Sequence, residues 1–365
     1  MFSNVYQDKK VLITGHTGFK GTWLSTWLLK LGANIVGLSK DIPTKPAMFE
    51  VLNLHNQIQH SVLDVRDFNL LKEKILEVKP DFIFHLAAQP IVSTSYNDPL
   101  ETVSTNVMGT TNLLEALRLS NHKCNAIIIT SDKAYDNVEQ VWGYQENDPM
   151  GGKDVYSGSK GAAELIIKSY YHSFFALEES NVRLAVARAG NVIGGGDWAK
   201  DRIIVDAMMA WSKGEKVAVR SPNSTRPWQH VLEPLSGYLS LGQKLDTDIG
   251  LNGESFNFGP RAEQNRTVSE LLADLSNYWD TVTEAGFIIT DNIQFHEASL
   301  LKLNCDKALF HLKWQANLDY KETIKLTSEW YYNFYHVGVN NLTQTLRQID
   351  EYESLAKERG LVWTE

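Results

Sequence analysis

A tyrosine and a lysine four positions apart are the residues with the clearest capacity for chemistry. The stretch DVYSGSKGAAEL is predicted to be helical, so Tyr156 and Lys160 share one face of that helix. A tyrosine hydroxyl has a pKa of about 10 in water, which is too high for a base at neutral pH. A neighbouring ammonium stabilises the phenolate, so the pair could remove a proton from an alcohol. The same spacing also occurs in helices that have no such role.

A second set of reactive side chains follows the fifth predicted strand, in the segment IIITSDKAYDN. Ser131 can hydrogen-bond the same substrate oxygen as Tyr156 and polarise it. Asp132 and Lys133 then remain as an acid and a base beyond what a simple dehydrogenase requires. The alternative interpretation is a solvated turn after a strand.

A glycine-rich turn lies upstream of both sets. Gly15, Gly18 and Gly21 separate the strand KVLITG from a helix whose apolar residues run from Trp23 to Leu31. Such a turn lets the backbone approach a pyrophosphate, which rests on the free N–H groups of the helix N-terminus. The turn therefore predicts a dinucleotide cofactor, against the alternative of a structural turn without a ligand.

Further cofactor contacts are expected along the same edge of the sheet. Asp64 and Val65 end a strand where an adenine amino group could be met, and small residues follow the strand FIFH. The expected cofactor contacts are Gly15, Thr17, Gly18, Phe19, Lys20, Gly21, Asp64, Val65, Leu86, Ala87, Ala88, Asn106, Thr130, Tyr156 and Lys160.

Strands and helices must alternate to position these residues, and the hydrophobic periodicity shows that they do. Apolar runs such as NIVGLS, NAIIITS and VRLAVARAGNVIG read as strands, and longer amphipathic stretches separate them. Parallel strands need crossover connections, so the pattern predicts an α/β fold of Rossmann type, with a doubly wound parallel sheet. We expect a dinucleotide-binding domain over 1–193, a smaller, loop-rich α/β substrate-binding domain over 194–340 with some exchange of strands and helices, and a helical tail over 341–365.

Composition excludes several classes of protein. Apolar residues make up 43% and charged residues 22% of the 365 residues, which is unlike a disordered chain. The net charge of −9 argues against nucleic-acid binding, so an anionic ligand needs a local cluster of cations. Cys124 and Cys305 have no metal-ligand spacing, and no metal is expected. No signal peptide or membrane span is evident, so we expect a cytoplasmic protein without a membrane partner.

The second strand leaves the choice between NAD and NADP open. A carboxylate near its end would bind a ribose 2′-OH, but GLSKD offers Ser39, Lys40 and Asp41 without a clear candidate. Lys40 could even favour a 2′-phosphate.

The chain resembles the extended short-chain dehydrogenase/reductases through TGHTGFKG, HLAAQP, TNVMGT, the Tyr156–Lys160 pair and RAGNVIGGGDW. More narrowly it is similar to the CDP-glucose 4,6-dehydratase family. That similarity rests on GHTGFKG, TSDKAYDN, WGYQENDPMGG, AGNVIGGGDWAKDRII, RPWQHVLEPLSGYL, FNFGP and HEASLLKLNCDKA, which run in order from about residue 10 to about residue 315.

The resemblance implies an internal redox cycle with NAD as the cofactor. Tyr156, with Lys160 and Ser131, removes the C4 hydroxyl proton as hydride passes from C4 to NAD⁺. The ketone makes the C5 proton acidic, Asp132 assists loss of the C6 hydroxyl as water, and the hydride returns to C6. Lys133 is the hypothesis for the C5 base or its organiser, and CDP-glucose is the implied substrate. The implied substrate contacts are Gln89, Ser131, Asn191, Arg202, Arg220, Arg226 and His230.

Three positions depart from the family pattern, and two rival functions stay open. Ala134 replaces a usual Cys, Val155 a usual Pro, and Ser93 a common Arg, which removes a positive charge near the crevice. One rival is a 4,6-dehydratase or epimerase acting on another nucleotide sugar, although epimerases do not need Asp132 and Lys133. The other is a non-catalytic dinucleotide sensor, which would not need a phenolate. The family also commonly dimerises through helices such as those starting near Pro99 and Tyr156, so a homodimer or a dimer of dimers is expected.

Overall fold

The computed structural model describes residues 1–261, 264–280, 282, 286–290 and 300–365. The strands are β1 Lys10–Thr14, β2 Asn34–Ser39, β3 Gln59–Val62, β4 Phe82–His85, β5 Cys124–Ile129, β6 Val182–Ala189, β7 Val192–Ile193, β8 Val217–Val219, β9 Thr225–Arg226, β10 Gln229–His230, β11 Ser255–Phe258, β12 Arg266–Thr267 and β13 Phe287–Ile289. The helices are α1 Phe19–Lys30, α2 Met48–Val51, α3 Phe68–Val78, α4 Val92–Asn97, α5 Pro99–Val103, α6 Gly109–Ser120, α7 Val155–Tyr170, α8 Ile203–Trp211, α9 Leu232–Thr247, α10 Val268–Ser276, α11 Asp306–Leu312, α12 Tyr320–Tyr332 and α13 Asn341–Glu358.

A seven-stranded parallel sheet organises the chain, in the order β11-β6-β5-β4-β1-β2-β3. Strand order reverses between β1 and β4, and ligands of such sheets bind beyond the carboxyl ends of the strands at that point. The glycine turn follows β1 there, and the turn with Ser131 follows β5 two strands away. The predicted Rossmann-type fold is confirmed.

Both faces of the sheet are buried by helices. Alternate residues of β1 point to opposite faces: Val11 and Ile13 join the core that contains Trp27 of α1, whereas Leu12 joins the core that contains Leu117 of α6. Helices α9 and α13 add to the first core, and α3 and α7 add to the second. This two-sided burial explains why the strands read as apolar runs rather than as alternating patterns.

Two predicted segments differ in the structure. The stretch VRLAVARAGNVIG is not one strand: β6 ends at Ala189, and β7 leaves the large sheet to pair with β10. The residues 255–258, expected within a loop-rich half, form β11 and extend the large sheet beside β6. Their register with a buried neighbour stabilises this short strand, and local periodicity does not report such long-range pairing.

The second half of the chain contributes short strand pairs and helices above this sheet. Strands β9 and β12 pair antiparallel, and β8 pairs with β13. Strand β11 lies beyond residue 193 but belongs to the large sheet, so this sheet crosses the predicted domain boundary. The division at residue 193 and the separate helical tail over 341–365 remain predictions. Part of the motif HEASLLKLNCDKA, residues 296–299, lies outside the described residues. Within the described residues, no helix is both long and apolar enough to span a membrane.

Candidate active site

The glycine turn is packed too closely for side chains. Gly15 has φ of +76°, and a Cβ there would lie 2.7 Å from the backbone nitrogen of Ala87. A Cβ on Gly21 would lie 2.2 Å from the carbonyl oxygen of Gly15. Gly18 precedes α1, and among the described residues no side chain caps that helix end. The first-turn amides therefore stay available to an anion, and the turn fits the pyrophosphate of a dinucleotide.

The loop after β4 lies against this turn and is bound to the following helices. Ala87 donates its N–H to the Thr14 hydroxyl at 3.2 Å. Asn106 accepts from the backbone N–H of Gln89 at 2.8 Å and donates to the Ser159 hydroxyl at 2.9 Å. Asn106 thus connects the loop that follows β4 to α7, the helix that carries the tyrosine and the lysine.

The segment after β5 forms a tight turn, which we call the catalytic turn, residues 131–134. Ser131 caps a single helical turn by accepting from the Lys133 N–H at 3.2 Å, and its hydroxyl donates to the Asp132 carboxylate at 3.0 Å. Ser131 also lies close enough to Tyr156 for its hydroxyl to lower the pKa of that tyrosine. The catalytic turn and α7 therefore meet at one hydroxyl cluster.

Tyr156 and Lys160 are buried side by side on α7. Their exposed fractions are 7% and 6%, and the Lys160 ammonium lies 6.0 Å from the centre of the Tyr156 ring. Burial raises the pKa of Tyr156 to about 12, while its hydrogen bond with Ser131 acts in the opposite direction. Burial lowers the pKa of Lys160 to about 8. Burial thus disfavours the phenolate of Tyr156 and the ammonium of Lys160, as is common for groups at functional sites.

Asp132 is held in a form that favours its proton. Burial raises the pKa of this carboxyl, although Lys133 and Ser131 lower it in part. A Cβ on Gly190 would lie 2.9 Å from Asp132 Oδ2, so the carboxyl packs against bare backbone. Lys133 is half-buried beside it. The catalytic turn thus places the side chains of a serine, an aspartate and a lysine in three consecutive residues.

Positive charge gathers beside the catalytic turn. Burial, with Arg202 nearby, lowers the pKa of Lys20 to about 8, and Lys160 and Asp132 lie within electrostatic reach of the same ammonium. Arg202 forms an ion pair with Asp197. This cluster meets the expectation that an anionic ligand requires local cations in a chain of negative net charge.

After the carboxyl ends of β2 and β3, by contrast, the cations are paired with carboxylates. Lys40 contacts Glu101 at 2.6 Å, and Arg66 contacts Glu101 at 2.8 Å and Asp64 at 2.6 Å. The Arg66 hydrogen bonds lower the pKa of the Asp64 carboxyl. Lys40 is therefore engaged with a carboxylate, and Asp64 is bonded within its own loop.

Several predicted contacts direct their polar side-chain atoms into the protein. Gln89 donates to the Thr102 hydroxyl at 2.8 Å, and Thr130 donates to Glu164 at 2.6 Å. His230 is fully buried with its ring edge-on to Trp23, at 5.8 Å between centroids, so its side chain is shielded from solvent. As ligand contacts these residues stay predictions.

The remaining predicted contacts lie where the chain was expected to bind substrate. Arg226 is in β9 and Arg220 follows β8, both half-buried, and Asn191 precedes β7. The sequence analysis missed the buried pair of Glu164 and Arg188, although an arginine inside an apolar strand is a signal that a buried partner exists.

A glycine turn at the switch point of a parallel sheet, with a buried Tyr-x-x-x-Lys pair beside it, defines an extended short-chain dehydrogenase/reductase. The family profile described as GDP-mannose 4,6 dehydratase matches residues 12–327. The CDP-glucose 4,6-dehydratase of Salmonella typhimurium is 46% identical over 354 residues, covering 96% of this chain and 98% of the relative. The chain therefore belongs to this dehydratase family.

Solved structures support the same fold. An epimerase from Methanothermobacter thermautotrophicus superimposes with a TM-score of 0.78 at 22% identity, covering 92% of this chain and 96% of that one. A dTDP-glucose 4,6-dehydratase from Bacillus anthracis, solved in complex with NAD, gives a TM-score of 0.73 at 20% identity, covering 89% of this chain and 97% of that one.

Proposed function

We propose that this protein is a hydro-lyase of the CDP-glucose 4,6-dehydratase type, which converts CDP-D-glucose to CDP-4-keto-6-deoxy-D-glucose in deoxysugar biosynthesis. The observation that carries the proposal is the catalytic turn, where Ser131, Asp132 and Lys133 lie beside the buried pair of Tyr156 and Lys160. An alcohol oxidation alone would need only the serine, the tyrosine and the lysine of α7. The added acid and amine supply the elimination of water.

The first half-reaction uses the hydroxyl cluster. Tyr156 accepts the C4 hydroxyl proton, and Ser131 holds the same oxygen by a hydrogen bond. The raised pKa of Tyr156 means that its phenolate needs positive charge nearby, and Lys160 supplies it from the same helix face. When bound, NAD⁺ would supply the redox chemistry, as acceptor of the C4 hydride and, once reduced, as its donor to C6.

The second half-reaction uses the other two side chains of the catalytic turn. Lys133 takes the C5 proton, which the C4 ketone has made acidic. Asp132 gives its proton to the C6 hydroxyl, which leaves as water, and the raised pKa of this buried carboxyl keeps that proton available. In this step Lys133 gains one proton as Asp132 loses one. When hydride returns to C6, Lys133 gives its proton to C5, and the proton taken up by Tyr156 restores that of Asp132 before the next turnover.

The cofactor proposal is NAD rather than NADP. Gly15, Gly18 and Gly21 would hold the pyrophosphate at the N-terminus of α1. The two cations at the ends of β2 and β3, Lys40 and Arg66, are both paired with carboxylates. A 2′-phosphate would have to break those pairs, whereas a 2′-hydroxyl would not.

Arginines in the second half of the chain would bind the substrate. Arg202 lies near enough to Tyr156 to affect its pKa, so it would reach a group next to the reacting sugar. Arg220 and Arg226 would hold the diphosphate, because a guanidinium matches phosphate oxygens in geometry and charge.

The expected homodimer has structural support in an exposed apolar surface. Leu100 is 81% exposed on α5, Met108 follows in the next turns, and Leu165 is exposed on α7. Two copies that pack these helices together would cover that surface. The cytoplasmic location, like the dimer, remains a prediction. Light scattering coupled to size exclusion tests the dimer, and a monomer at micromolar concentration contradicts it.

The decisive experiment incubates the protein with CDP-glucose and catalytic NAD⁺ and follows the alkaline absorbance of a 4-keto sugar. Parallel reactions contain dTDP-, GDP- and UDP-glucose, and Asp132→Asn is the control variant. We expect product from CDP-glucose and none from the variant. Product from another nucleotide sugar, with none from CDP-glucose, would reject the substrate. Epimerisation without loss of water would reject the reaction.

A further inference from the structure

A buried ion pair lies behind the catalytic turn. Arg188 of β6 donates from Nε and Nη2 to the two carboxylate oxygens of Glu164 on α7, at 2.7 and 2.5 Å. Exposed fractions are 2% for Arg188 and 6% for Glu164. Two charges so deeply buried are costly unless their remaining hydrogen-bonding capacity is filled. The groups that fill this capacity here lie on both sides of the catalytic turn.

The same pair holds both flanks of the catalytic turn. Thr130, the residue before it, donates its hydroxyl to Glu164 Oε1 at 2.6 Å. Tyr135, the residue after it, accepts from Arg188 Nη1 at 2.6 Å, and the guanidinium lies 4.9 Å from the centre of the tyrosine ring. Tyr135 also donates to Asn257 of β11 at 2.8 Å. The four residues between the two flanks carry the proposed acid, base and serine.

The pair also belongs to the helix that carries the tyrosine. Tyr156, Lys160 and Glu164 are spaced by four along α7, so they share one face of that helix. The Glu164 carboxylate lies close enough to Lys160 to oppose the effect of burial on its pKa. One ion pair therefore links the two residues that flank the catalytic turn to the reactive face of α7.

We propose that Glu164 and Arg188 are positioning residues that fix the catalytic turn against α7, with Thr130 securing the Ser131 end and Tyr135 securing the Asp132–Lys133 end. The inference rests on the proposed function, because it assigns the two flanks to different half-reactions. None of the four side chains contacts the reacting atoms. They act by holding Ser131 to Tyr156 for oxidation at C4, and by holding the acid and amine for elimination at C5 and C6.

Two variants that each remove one hydroxyl test this assignment without breaking the ion pair. Thr130→Val and Tyr135→Phe keep side-chain volume and delete one tether each. Their matched controls are Thr327→Val, a buried hydroxyl without a partner among the described residues, and Tyr170→Phe, at the far end of α7. The measurements are single-turnover absorbance at 340 nm for C4 oxidation and formation of the 4-keto product for elimination, with KM and melting temperature for each variant.

We expect Tyr135→Phe to slow elimination about ten- to a hundredfold while oxidation changes less than threefold, because small misplacements of reacting groups cost rate steeply. Reduced cofactor should then accumulate transiently. Thr130→Val should slow oxidation instead, without that accumulation, and KM should stay within about twofold in both. Equal slowing of both steps, or rates equal to those of the controls, overturns the inference. If the unaltered protein dehydrates no nucleotide sugar, the proposed function fails instead.

Discussion

The two ends of the candidate site are held by different means. The catalytic turn and α7 are buried, and the ion pair of Glu164 on α7 with Arg188 is hydrogen-bonded to Thr130 and Tyr135, the residues on either side of the turn. The cations expected to bind the nucleotide, Arg220 and Arg226, are half-buried at the ends of short strands. Bond making needs atoms placed to within about 1 Å, whereas recognition of a diphosphate tolerates some adjustment of a charged side chain. The proposed reacting end thus lies at the end of β5 and on α7, and the proposed recognition end lies on short strands outside the large sheet.

The largest effect is expected at the reacting end, from Tyr156→Phe. Loss of the hydroxyl removes the group that we propose accepts the C4 proton, and general acid–base catalysis contributes about 10²- to 10⁴-fold to rate. We expect at least a thousandfold lower turnover with a KM within about threefold, measured by the 4-keto absorbance. A variant that retains a tenth of the activity would show that another group accepts the proton.

Lys133→Ala should separate the two half-reactions. Without an amine to take the C5 proton, oxidation at C4 should proceed while dehydration falls by about 10² or more. Exchange of the C5 hydrogen with deuterated solvent should fall in parallel, as followed by NMR. Asp132→Asn is the matched comparison, because it should block water loss while leaving that exchange. If Lys133→Ala leaves both exchange and dehydration intact, Lys133 is not the C5 base.

At the recognition end, Arg226→Ala should act on binding rather than on rate. Hydrogen bonds to charged groups are worth about 1.5–3 kcal/mol, so KM should rise about ten- to a hundredfold while kcat changes little. Arg226→Lys should restore only part of the affinity, since an ammonium cannot bind bidentately. Arg347→Ala, on the exposed side of α13, is the control. A fall in kcat with unchanged KM would place Arg226 at the reacting end instead.

Two buried histidines, His16 in the glycine turn and His85 at the end of β4, should also make the fold sensitive to acid. Burial lowers the pKa of His16 to about 4 and that of His85 to about 3, below the unfolded value near 6.5. Neutral imidazoles therefore stabilise the native state above pH 6.5, and this contribution is lost as pH falls toward 4. Each histidine adds about 1.4 kcal/mol per pH unit to the slope of the unfolding free energy. His85→Asn should reduce the slope between pH 6 and pH 4.5 in urea titrations, and His172→Asn, on the surface, should not.

Sequence alone predicted the parts of this site that follow local rules. The turn from Gly15 to Gly21 has a signature because backbone approach excludes a Cβ, and Tyr156 with Lys160 has one because helix faces repeat every four residues. The strand β11 was missed, since its pairing partner lies far away in the chain. The link between Thr130 and Glu164 was missed for the same reason: spacing reports which residues share a face, not which side chains meet across elements.

The smallest effect is expected at a contact next to Arg202. Ser93 of α4 donates to Asp201 at 2.5 Å, and Asp201 precedes Arg202 in the loop that leads into α8. This hydrogen bond is exposed to solvent, and exposed polar contacts are worth about 1 kcal/mol or less. Ser93→Ala should therefore raise KM about twofold and leave kcat unchanged, measured with CDP-glucose. A tenfold loss of kcat would mean that this contact positions Arg202 for catalysis, and that the recognition loops are as tightly fixed as the reacting end.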